Sequence, residues 1–156
     1  AVGLSAGSER HWTLARQIMT DATRDISGDG TLAFEMERGA RALHYHLFSL
    51  TPLVALAELG AARGEDWYAL GDGALHRLAA VAAAGLLDRG VFDRRAGVPQ
   101  DHPDKAGAGW TTLYRARFAG RLPAGLPEGA IRHRWLGGDV TLLSQALARA
   151  SLEPKP

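Results

Sequence analysis

The 156 residues contain no cysteine. That excludes a disulfide framework, a cysteine-ligated zinc ribbon and thiol catalysis together, although a cysteine-free chain suits any redox compartment. An excess of one charge is missing too: 18 basic against 17 acidic side chains leave a net charge of +1. No broad electrostatic footprint for nucleic acid or an anionic membrane arises from that balance, and neither partner is expected. The longest apolar run that catches the eye, "LAAVAAAGLL", is shorter than the ~20 residues of a membrane span. Nor is there the basic flank and apolar run of a signal peptide. The chain opens "AVGL" without a methionine, and we expect it to be a piece of something longer.

What is present is alanine and leucine at helical spacing. Hydrophobic residues make up 46% of the chain and charged residues 22%, the composition of a globular domain large enough to bury roughly two-thirds of its unfolded surface. "HWTLARQIMTDATRDI" sets Trp12, Ala15, Ile18, Met19, Ala22 and Ile26 on one stripe, and "SGDG" stops it as a turn rather than a calcium loop. Helix formers resume at Glu35. Thr51 with Pro52 reads as a new helix start, and Leu53, Val54, Leu56, Ala57 and Leu59 make that helix apolar nearly all round, with Gly64 closing it. "GALHRLAAVAAAGLLDRG" is a further buried helix ending at Gly90. Residues 93–109 read as a long surface loop, "WTTLYRARF" as a short helix, "AIRHRWL" as a candidate strand and "VTLLSQALARA" as a last helix. The expected fold is all-α, antiparallel helical hairpins side by side in one domain spanning residues 1–156.

Within "GDGTLAFEMERGARALHYHLFSL", residues 28–50, two arginines, a tyrosine and two histidines crowd together. On one helix, Arg38 and Tyr45 would share a face about two turns apart, with Arg41 between them. Such a grouping suits removal of the C5 proton of a uronic acid with loss of the C4 oxygen. That β-elimination needs a cation for the carboxylate, a base for C5 and an acid for the leaving oxygen. An arginine supplies the first. A tyrosine beside cations supplies the other two. The plainer alternative is a half-exposed helix face with snorkelling arginines. Metal binding by His44 and His46 is not expected, because an i, i+2 pair on a helix points its rings apart. Trp110 and Tyr114 read as core, and the basic run from Arg117 through Arg121, Arg132 and His133 to Arg134 as either a glycan-lining segment or a solvated loop.

The order of these blocks resembles the alginate lyase family, the poly(β-D-mannuronate) lyases. The likeness lies in a glycine turn, an acidic-to-arginine step at "EMER", "RALHYH", a proline-containing apolar helix, "GALHRLAAVAAAGLLD" and "RWLGGDVT", and it runs from about residue 11 onward. The resemblance implies an α/α toroid, here incomplete, that cuts mannuronate-rich alginate without a cofactor in the bacterial periplasm. It assigns Tyr45 as catalytic acid/base and Arg38 as the carboxylate neutraliser. Arg41, His46 and Arg134 become substrate-binding candidates, with an acidic polysaccharide as partner. Three departures stand beside it. The family's "N-N-H-x-Y-W" motif does not occur in these residues and is expected upstream of Ala1; Leu47 follows His46 where an asparagine is common; Trp135 stands where an arginine is common. They favour the alternative of a lyase-derived domain that binds acidic glycan, or scaffolds, without cutting. An incomplete ring would also leave helix faces on which copies of the chain could associate.

Overall fold

Each amphipathic stripe needs a neighbour to cover it, and the computed structural model, which describes residues 8–150, shows which one it found. The described helices are α1 (Glu9–Asp25), α2 (Ala33–Met36), α3 (Ala42–Ala62), α4 (Leu70–Leu87), α5 (Gly90–Ala96), α6 (Gly109–Phe118) and α7 (Val140–Ala150). Two-residue strands β1 (Arg132–His133) and β2 (Gly138–Asp139) pair antiparallel, Arg132 opposite Asp139 and His133 opposite Gly138. The fold is all-α, and the candidate strand shrinks to this small hairpin.

Helix α3 is the axis of the packing, in contact with α1, α4, α6 and α7. Leu43, Leu47, Leu50, Val54 and Ala57 form one fully buried stripe, with His46, Thr51 and Glu58 buried beside it, while Phe48, 51% exposed, and Pro52 mark a narrow open face. Pro52 lies inside it, which corrects the expected new start at Thr51. The Thr51 hydroxyl donates to the Leu47 carbonyl at 2.9 Å, and burial of the opposite face of the helix outweighs the one backbone bond that the exposed Pro52 cannot make. The fused helix also corrects the expectation about length. With the turn before it, residues 39–62, and likewise residues 67–87, are long and apolar enough by length and composition to cross a membrane. Their helical neighbours in the core account for that apolarity.

Helix α1 buries Trp12, Ala15 and Met19 as expected, while Ile18 remains 45% exposed and narrows the stripe. Before the regular part of α4, Gly71, Asp72 and Gly73 all take left-handed φ (+59°, +54° and +70°), and Arg77 donates to the carbonyls of Gly71 and Asp72. Glycine meets that demand cheaply, and aspartate better than most residues. The helix ends at Leu87, not at Gly90. Gly90 instead opens α5, its N–H bonded to the Asp88 carboxylate at 2.9 Å. Helix α5 and the 3₁₀ turn Lys105–Ala108 also take up both ends of the expected 93–109 loop.

Two glutamates tie the helices by charge. Glu58, buried on α3, accepts from the Tyr68 hydroxyl at 2.8 Å and from Arg117 through Nε and Nη2, both at 2.9 Å. Arg117 therefore belongs to the framework, which removes the first residue of the basic run from any glycan-lining role. Glu65 accepts from both indoles, Trp12 at 2.6 Å and Trp67 at 3.0 Å, and from Arg16 at 2.5 and 2.9 Å. The Arg16 hydrogen bonds, opposed by burial and aided by the indoles, hold the Glu65 carboxyl down at about 2. A carboxyl lowered by folding stabilises the protein above its ordinary value of 4.5, and that stabilisation is lost as pH falls through about 2. Glu65→Gln is expected to lower the melting temperature at neutral pH and to flatten its fall in this acid window. Thermal denaturation of both chains across that range checks it.

Candidate functional site

Helix α2 stops at Met36, and Gly39, with φ of +59°, turns the chain into a 3₁₀ turn (Gly39–Arg41) before α3 begins. Arg38, Arg41 and Tyr45 are thus not on one continuous helix, which corrects the arrangement expected from their spacing. The turn nevertheless brings all three together. The guanidinium carbon of Arg38 lies 4.8 Å from the centre of the Tyr45 ring, and that of Arg41 5.0 Å. Two cations on one phenol ring are within cation–π range.

The surroundings are those of an open surface rather than a core. Both arginines are exposed and Tyr45 is half-buried, flanked edge-on by His44 at 5.2 Å and Phe48 at 6.4 Å. Arg38 Nε reaches Glu35 Oε2 at 3.4 Å, with the arginine side chain 54% exposed, so this pair is weak and open to exchange. Arg41 has no carboxylate partner among the described residues. A groove of about 370 Å³ starts at Glu35 and runs between α1, α2 and α3, lined chiefly by Ile18, Phe34, Pro52, Leu53 and Leu56. Its walls are mostly apolar, and Glu35 at one end joins it to the exposed Arg38. Glu35 escaped the sequence reading, although its i, i+3 spacing from Arg38 was a signal for it.

His46 proves to be a core residue, which corrects its candidacy for substrate contact. It is fully buried: Nδ1–H donates to the Ala42 carbonyl at 2.8 Å, and Nε2 accepts from the Leu32 N–H at 2.9 Å. Neither nitrogen is free. Leu47 is buried as well, so the apolar side chain in that position fits its place. Arg134 sits in the short turn between β1 and β2 with its guanidinium over Trp135 at 4.8 Å, and no contact joins it to the Tyr45 group. Trp110 and Tyr114 are buried as expected, the Tyr114 hydroxyl bonded to His76 Nδ1. Among the described residues no group of three His, Asp or Glu side chains is placed to hold a metal ion.

The model of the alginate lyase family matches residues 1–92, which include Arg38, Arg41 and Tyr45. A polysaccharide lyase of Stenotrophomonas maltophilia is 39% identical over 146 residues, covering 92% of this chain and 44% of its own length. An alginate lyase of Azotobacter chroococcum is 39% identical over 128 residues, 77% of this chain and 34% of its own. Among solved structures, a variant of alginate lyase A1-III complexed with tetrasaccharide superposes with a TM-score of 0.71 at 26% identity, over 90% of this chain and 41% of that one. The chain spans less than half the length of these relatives.

Burial lowers the affinity of His46 for a proton, so it is neutral in the fold and contributes stability above the ordinary histidine value of 6.5 that is lost on acidification. Protonation would make Nε2 a donor facing the Leu32 N–H. His46→Leu is expected to expose that N–H to exchange roughly tenfold faster, the equivalent of ~1.4 kcal/mol. Amide hydrogen exchange at Leu32 tests it, and in the unsubstituted chain the same amide should lose protection as pH falls below 6.5.

Proposed function

The chain belongs to the alginate lyase family, and on that premise we propose that it acts on mannuronate-rich alginate by β-elimination. Arg38 neutralises the carboxylate of the reacting uronate. The phenolate of Tyr45 takes the C5 proton, the C5–H electrons form the C4–C5 double bond, the C4–O bond breaks, and the phenol returns the proton to the departing oxygen. Nothing is oxidised or reduced overall, so the step calls for no redox partner. Arg41 meets the same or the adjacent carboxylate, and Arg134 one further along the polymer. The observation that carries the reading is the stacking of Arg38 and Arg41 on the half-buried Tyr45 ring at 4.8 and 5.0 Å. A periplasmic setting, and a place as one part of a longer toroid, belong to the same proposal.

A second reading, binding of acidic glycan without cleavage, draws on two observations. The asparagine- and histidine-bearing motif is absent from the 156 residues, and Glu35 already occupies one edge of Arg38. Ultraviolet absorbance of the C4–C5 double bond during incubation with polymannuronate separates the two. Under the lyase reading absorbance rises. Tyr45→Phe then slows it by about 10² to 10⁴, the range for a lost acid/base, and Arg38→Ala by about 10² to 10³. Calorimetric binding with no absorbance change from the folded chain would support the second reading and overturn the first.

A further inference from the structure

We infer that Gln100 is the positioning residue of this site: it caps α3 from a distant loop, in place of a local cap that Arg41 has displaced. The inference rests on the lyase reading for its catalytic consequence, but not for its structural core.

The first N–H groups of a helix have no intrahelical acceptor, and the residue just before the helix ordinarily supplies one from a Ser, Thr, Asp or Asn side chain. In α3 that position is Arg41, which has no acceptor and makes no side-chain cap. The Leu43 N–H, two positions into the capped end, is bonded instead by Gln100 Oε1 at 2.9 Å, across 57 residues of sequence. The amide of the same side chain donates to the Gly39 carbonyl at 2.9 Å and the Val98 carbonyl at 3.2 Å. Gln100 is 3% exposed, and both of its amide hydrogens are used.

Its own backbone is fixed just as firmly. The Gln100 N–H donates to Asp93 Oδ1 at 2.8 Å, and its carbonyl accepts from Arg89 Nη1 at 2.7 Å. The next residue, Asp101, donates its N–H to the Ala40 carbonyl at 2.8 Å. Residues 100 and 101 therefore grip positions 39, 40 and 43, on both sides of Arg41 and directly after Arg38. Holding that turn fixes where both guanidinium groups leave the backbone, and hence their stacking on Tyr45, one turn further along α3. A displacement of about 1 Å at a reacting group can cost on the order of 10² in rate.

Two substitutions separate positioning from general support. Gln100→Glu keeps the acceptor for Leu43 and loses both donors; Gln100→Met keeps the approximate volume and loses every bond. The δ-methylene protons of Arg38 and Arg41, observed by NMR, should show upfield ring-current shifts from Tyr45 that collapse in both variants while core methyl signals stay in place. In an active chain, kcat should fall by about 10- to 100-fold with KM within a few-fold. Arg41→Asn added to Gln100→Met restores a local cap, and should recover part of the lost melting temperature without recovering the Arg38 shift.

Variants that fold and keep both ring-current shifts overturn the inference. So does failure of both variants to fold, since Gln100 would then be holding the whole fold, and so does an Arg41→Asn addition that recovers nothing. If the unsubstituted chain shows no lyase activity, the functional reading fails alone, and the NMR and melting arms still decide the role of Gln100.

Discussion

Enclosure of α3 is the constraint on which the rest depends. A helix apolar on nearly every side must be covered, and α1, α4, α6 and α7 cover it except along the narrow face of Phe48 and Pro52. Once it is covered, every polar group it carries inside needs a partner from another element. Glu58 finds Arg117 and Tyr68, His46 finds the Leu32 N–H, and the Leu43 N–H finds Gln100. Arg41 and Tyr45 stand on the same open face as Phe48 and Pro52, near the start of α3.

Three glutamate–arginine pairs show how framework and site are kept apart. Glu58 and Glu65 each receive two bonds from one guanidinium and at least one more from an aromatic N–H or O–H. Charge-assisted bidentate pairs of this kind are the strong ones. Glu35 holds Arg38 by a single contact of 3.4 Å, with the arginine largely in solvent. Of the three it is the pair most open to exchange. In the proposed reaction Glu35 would be the group that a sugar carboxylate displaces from Arg38.

Helix periodicity was legible because burial enforces it: Trp12, Ala15, Met19, Leu75, Leu78 and Ala82 all face inward where their spacing puts them. Local punctuation was less reliable. Thr51–Pro52 carries the signature of a helix start, yet tertiary enclosure outweighs one missing backbone bond. Gly39, at φ of +59°, breaks a run of helix formers, and through that turn the two arginines reach the Tyr45 ring. His46 and Tyr45 are neighbours in sequence and look equally available, but adjacent helix positions face different ways, one into the core and one out. Arg117 read as either cleft charge or a solvated loop residue, because its partner, Glu58, lies 59 residues away. Gln100 had no local signal at all, since the bonds that define it join it to residues about 60 positions earlier.

The most direct test of the central claim is a structure of the Tyr45→Phe chain with a bound oligomannuronate. The expected result is a uronate carboxylate paired with Arg38, Glu35 released from it, and C5 of the same sugar facing the place of the deleted hydroxyl. An oligosaccharide seated elsewhere, with Arg38 still on Glu35, would contradict it.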